Sequence, residues 1–133
     1  MRMLLSLVAV LALVAGCASG LKRPVQEVTA RPDVDGVQRV RIEAHSYYFS
    51  PNRIVVKANL PVELTVKQSA LFVPHNFTCI APDAGVDVKK GLGMLRESKR
   101  LRFIPTTPGE YPFFCAVGSH AKKGMTGTLV VVP

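Results

Sequence analysis

The sequence predicts an all-β fold, a sandwich of about seven to eight short strands over residues 37–133. Three observations predict it. From Val37 onward apolar residues recur at every second position, the period of a half-buried strand. Clusters of Pro, Gly, Asn and Ser separate these runs at short intervals. No stretch of this region carries the pattern of a substantial helix.

Each strand has its own signature. Val40, Ile42 and Ala44 alternate with Arg39, Arg41 and Glu43 in the first. Ile54, Val55 and Val56 form the second, between Ser50-Pro51-Asn52 and a turn at Asn59, a residue that tolerates the left-handed conformation. Val62, Leu64 and Val66 alternate with Glu63, Thr65 and Lys67 in the third. Residues 74–80 make the fourth, with His75, Phe77 and Cys79 on one face. Leu101 and Phe103 mark another, ended by Pro105. After the Thr107-Pro108-Gly109 turn, residues 111–115 form a strand, and the β-branched run 128–132 closes the chain. Residues 83–98, with Gly85, Gly91, Gly93 and mixed charges, read as a loop carrying a short helical turn.

The N-terminal part differs in kind. Met1-Arg2-Met3 is a short basic start, and residues 4–15 are apolar except for Ser6. A run of about a dozen residues is shorter than the roughly 20 needed to span a bilayer. It reads as the apolar region of a signal peptide occupying residues 1–16. Val14-Ala15-Gly16-Cys17 resembles a bacterial lipobox, which implies acylation of Cys17; the alternative is an ordinary signal peptide cleaved near Ala18. Residues 17–36, with Pro24, Pro32 and no apolar period, read as the acylated cysteine followed by a flexible tether. Two or more acyl chains anchor a protein stably. By resemblance to lipoproteins of double-membraned bacteria, Ala18 after the cysteine places the protein on the periplasmic face of the outer membrane.

The formal charge of +8 becomes +7 once Arg2 is lost with the signal peptide. An exported basic protein meets acidic proteins and anionic lipids and not nucleic acid. Lys89, Lys90, Arg96, Lys99, Arg100 and Arg102 form the densest basic stretch, read either as a solvated face or as a docking patch. Cys79 reads as an inert core thiol, with a disulfide as the alternative.

The chemistry is concentrated in residues 113–125. Cys115, His120 and Met125 follow in order with four residues between each pair. One thiolate, imidazole nitrogen and a weak thioether are the donors suited to a copper ion cycling between two oxidation states. Of the two remaining histidines, His75 follows Pro74 at a strand start, whereas His45 reads as a surface or satisfied histidine. Asn76 is placed to tie the two ligand segments together. Met94 is the weaker thioether candidate, since no other donor lies beside it.

With these residues in view, the chain from about Tyr48 to Val132 resembles the cupredoxins, a family that includes plastocyanin, azurin, rusticyanin and sulfocyanin. Phe49-Ser50-Pro51, Pro74-His75-Asn76, Pro108-Gly109-Glu110-Tyr111, the Cys115, His120 and Met125 set, and Gly127-Thr128-Leu129-Val130 carry the resemblance. The spacing of the last three donors is closest to rusticyanin and sulfocyanin. The resemblance implies a Greek-key β-sandwich with one copper ion at one end, held by His75, Cys115, His120 and Met125. It implies a monomeric single-electron carrier whose partner is a redox protein such as a cytochrome or an oxidase. Leu71, Phe72 and Val117 are the expected apolar docking residues around the His120 edge. A copper enzyme of this fold needs further histidine-bound coppers, and the chain has three histidines in all. A copper-delivery role is the competing reading; the Met-rich or His-rich tracts common in such proteins are missing, since only Met94 and Met125 lie beyond the signal peptide.

Overall fold

The computed structural model describes residues 23–133. Among the described residues ten strands form two sheets: β1 (Glu27–Thr29), β2 (Gln38–His45), β3 (Tyr48–Ser50), β4 (Arg53–Lys57), β5 (Val62–Gln68), β6 (Leu71–Ala81), β7 (Val86–Leu95), β8 (Ser98–Phe103), β9 (Gly109–Phe114) and β10 (Thr126–Val132). The larger sheet runs β1-β4-β10-β9-β6-β7 and the smaller β3-β2-β5-β8. The all-β expectation therefore holds, with more strands than the seven to eight expected.

The additional strands have physical reasons for escaping a periodicity reading. β1 lies inside the stretch expected to be tether. It is polar and largely exposed, and it exists because Glu27–Thr29 pair in parallel with Arg53–Val55, with Glu27 bridged to Arg53 at 3.0 Å. β3 has only three residues, too few to display a period. β7 replaces the loop expected over residues 83–98, and only a single 3₁₀ turn, Pro82–Ala84, matches that expectation. Val86, Val88 and Leu92 point into the core, while irregular pairing with β6 around His75, Gly91 and Gly93 interrupts the alternation. Among the described residues no helix is long and apolar enough to cross a membrane.

Between the sheets the core is centred on three rings. Phe49 of β3 meets Phe77 of β6 at 5.9 Å and Phe113 of β9 at 5.4 Å, and the latter two are 5.0 Å apart. Such pairs add about 0.5–1.5 kcal/mol each beyond their burial. Cys79 and Cys115 are both buried and free, so the disulfide alternative for Cys79 fails. Burial pushes the Cys79 thiol up to about 11, which leaves it unreactive.

Two buried glutamines clasp the sandwich. Gln38, at the start of β2, donates to the carbonyl of Lys57 (3.0 Å) and accepts from the Lys57 amide (2.7 Å), joining the sheets at one end. Gln68, at the end of β5, donates to the carbonyls of Val73 (3.0 Å) and Gly93 (2.9 Å). It thereby fixes the start of β6 and the end of β7, where the segment carrying His75 begins.

Gly127 shows how closely β10 packs. A Cβ there would strike the Phe113 ring and lie 2.6 Å from the carbonyl oxygen of Asn52. Gly127→Ala is expected to lower stability by about 1–3 kcal/mol, the usual cost of overpacking, measured by urea unfolding. An unchanged midpoint would show that β10 can shift to make room.

Candidate metal centre

The site is assembled from two segments, separated by 40 positions, at one end of the larger sheet. Pro74 precedes His75 near the start of β6, and the register irregularity on both sides of His75 bends the strand locally. β9 delivers Cys115 directly after Phe114. The chain then turns through Gly118 (φ 47°) and Gly124 (φ 101°), left-handed positions suited to glycine, before β10 begins. Inside this loop the His120 amide donates to the Val117 carbonyl (3.0 Å) and the Met125 amide to the His120 carbonyl (3.1 Å). The Cys115 amide closes the loop on the Met125 carbonyl at 3.1 Å.

Three Lewis bases converge. His75 Nδ1 lies 3.2 Å from His120 Nδ1 and 3.8 Å from Cys115 Sγ, and Cys115 Sγ lies 3.5 Å from His120 Nδ1. The point equidistant from this triangle lies about 2 Å from each atom, close to first-row metal bonds to nitrogen and sulfur of about 2.0–2.3 Å. A bound cation therefore fits the donors present. Met125 is fully buried at the far end of the same loop.

The surroundings suit these donors to a metal. Burial, with a smaller contribution from neighbouring His120, pushes the His75 imidazole down to about 4, so it is neutral with a lone pair available. Among the described residues its Nε2 is buried without a partner. The Asn76 amide N–H points at Cys115 Sγ (3.4 Å). Asn76 Oδ1 in turn accepts from the Ala116 amide at 2.6 Å, so this side chain does tie the two segments.

Other candidates fall where their chemistry differs. His45 pairs with Glu43 at 3.2 Å and stacks on Tyr48 at 4.6 Å. Met94 is 46% exposed. Leu71 and Phe72 are exposed and precede His75, with Phe72 held at φ 59°, while Val117 is half-buried against the core. Leu71 pairs with Leu95, so exposed Met94 and Leu95 extend the same apolar patch. Tyr47 was not anticipated: its ring lies edge-on to His120 at 4.7 Å, with the Lys123 ammonium 4.1 Å from its centroid. No periodicity could have found it, because it sits in the two-residue turn between β2 and β3.

The sequence model of the cupredoxin-like domain matches residues 4–131. The chain belongs to that family. Its fold is similar to those of several solved structures. An auracyanin from Roseiflexus castenholzii is 18% identical with a TM-score of 0.63, covering 71% of this chain and 97% of its own. The metal-binding domain of the Cu(I)-exporting P-type ATPase CopA from Streptococcus pneumoniae D39 is 23% identical with a TM-score of 0.64, covering 84% and 100%. Reduced rusticyanin is 20% identical with a TM-score of 0.62, covering 80% and 84%. A comparison with curated proteins finds no match. Family and donor chemistry together call for one copper ion in this cupredoxin.

The depressed His75 value gives the metal-free cupredoxin a pH dependence. The unfolded chain takes a proton near pH 6.5, whereas the folded chain resists it down to about 4. Stability contributed by His75 is therefore present above pH 6.5 and lost as pH falls toward 4. Metal-free protein should be about 2 kcal/mol less stable at pH 5 than at pH 7, measured by urea unfolding. A His75→Phe variant should lose most of that difference; an equal pH slope in the variant would assign it to another group.

Proposed function

We propose that this cupredoxin is a single-electron carrier whose copper is held by His75, Cys115, His120 and Met125. The observation carrying this reading is the convergence of two imidazole nitrogens and one thiol sulfur on a point at bonding distance from all three. When bound, copper supplies a one-electron couple between Cu(I) and Cu(II). The chain's own part is to keep the donors still. β6 and β9 are hydrogen-bonded neighbours in one sheet, Asn76 ties their ends together, and Gln68 holds the backbone just before His75. Donors that do not rearrange keep the barrier to electron exchange low.

His120 is the half-exposed donor and the proposed exit for the electron. Leu71, Phe72 and Val117 are the proposed docking residues, whose apolar surface excludes water when a partner such as a cytochrome or an oxidase approaches. We further propose export, acylation of Cys17 and residence on the periplasmic side of a membrane; these features belong to residues outside those described. No enzymatic role is proposed, since the third histidine, His45, is engaged by Glu43 and Tyr48.

Copper delivery is the second reading, and the similar fold of the CopA metal-binding domain favours it. Against it, Cys115 and Met125 are fully buried and His75 nearly so, which impedes exchange with an acceptor. Rapid loss of Cu(I) to a competing chelator would favour delivery.

The deciding experiment is the visible spectrum of the protein loaded with Cu(II). An intense thiolate-to-copper band that bleaches on reduction and is missing from Cys115→Ser is expected. A colourless wild-type protein would refute the site. Leu71→Glu should slow electron exchange with a partner at least about tenfold with little change in reduction potential, since a rim charge acts mainly on encounter. An unchanged rate would remove Leu71 from the docking surface.

A further inference from the structure

The outer face of the smaller sheet carries a charge pattern that the copper site does not use. Strand register places its side chains in three cross-strand rows: Arg39–Glu63–Arg102, Arg41–Thr65–Arg100 and Glu43–Lys67–Ser98. In the first, Glu63 is shared by Arg102 (2.7 Å) and Arg39 (3.8 Å), and Arg39 is also held by Asp33 and Asp35. In the third, Lys67 and Glu43 lie 3.7 Å apart. The middle row has no acid. Among the described residues no carboxylate comes within ion-pair distance of Arg41 or Arg100, and both are exposed on either side of the Thr65 side chain. Two strand spacings, about 10 Å, separate them. The first two rows line a shallow groove of about 470 Å³.

The same face receives the incoming chain. The Arg23 guanidinium lies 3.5 Å over the Tyr48 ring, and Tyr48 stacks on His45. His45 and Tyr48 are register partners, and strand alternation puts them on the side of the sheet that carries Arg39 and Arg41. Cys17 is six residues before Arg23, a span of at most about 20 Å. An anchor at Cys17 would thus hold this face within that distance of the lipid.

We propose that the Arg41–Thr65–Arg100 row is a docking surface for anionic phospholipid headgroups. It lays the smaller sheet against the membrane. Two unpartnered guanidiniums flanking a hydroxyl suit phosphate oxygens, which accept several hydrogen bonds each. The choice of lipid over an acidic protein rests on the proposed anchor at Cys17; the anion preference itself rests on the row alone.

The fragment from Ala18 keeps both sheets and the whole described core and lacks the acylated cysteine, so it isolates the face from the anchor. Its sedimentation with phosphatidylcholine vesicles, with and without phosphatidylglycerol, is compared for wild type and the Arg41→Gln/Arg100→Gln double variant. Wild type should bind only the anionic vesicles. The double variant should bind about 25-fold more weakly, about fivefold per guanidinium, with its visible spectrum and thermal midpoint unchanged. Equal binding by the two proteins, or no binding by wild type, overturns the proposal. In the second case, slower electron exchange of the double variant with an acidic partner would reassign the face to protein recognition. Mass analysis of the mature full-length chain at Cys17 tests the anchor separately, so failure of the face and failure of the anchor are distinguished.

Discussion

The Asn76 side chain is the tie on which the site depends. His75 and Cys115 come from strands far apart in sequence, and a metal site tolerates little error in the spacing of its donors. Asn76 settles that spacing twice. Its carboxamide oxygen receives the Ala116 amide at 2.6 Å, and its own backbone N–H points at the Cys115 sulfur. Both bonds are short-range consequences of β6 and β9 lying side by side, and both fail if the strands slip by one residue, since a slip turns every side chain to the opposite face.

That register is in turn protected by the core. Phe77 and Phe113, on the same two strands, pack against each other and against Phe49 from the opposite sheet. The buried glutamines add a polar constraint at each end. A buried amide that loses its partner costs about 1–3 kcal/mol, so Gln38 and Gln68 penalise alternative alignments of the sheets. Gln68 acts beside the site, because the carbonyls it holds belong to Val73, two residues before His75 on β6, and to Gly93, the β7 partner of His75.

The two proposed docking surfaces occupy different parts of the molecule. The proposed apolar patch at Leu71 and Phe72 is exposed at the start of β6, just before His75 in the chain. The guanidinium rows lie on the flat outer face of β2, β5 and β8. A carrier laid on a membrane by that face would present its donor end laterally to partners in the same plane, a geometry consistent with both proposals.

Much of this was legible in the sequence, and what was not has definite causes. Val40, Ile42 and Ala44, or Val62, Leu64 and Val66, announce half-buried strands because burial on one face imposes a period of two. The spacing of Cys115, His120 and Met125 announces a metal site because all three donors ride on one short loop, where sequence distance and spatial distance are nearly the same thing. β1 was hidden because an exposed edge strand is held by its ladder to β4 and not by a buried face. β7 was hidden because the bulges that shape the His75 segment break its alternation. Tyr47 beside His120, the partnering of Glu63 and the lack, among the described residues, of a carboxylate within ion-pair distance of Arg41 and Arg100 were decided only by tertiary structure. Each depends on which residues lie opposite one another across strands, and cross-strand pairing is a property of the assembled sheets that no local pattern in the chain encodes.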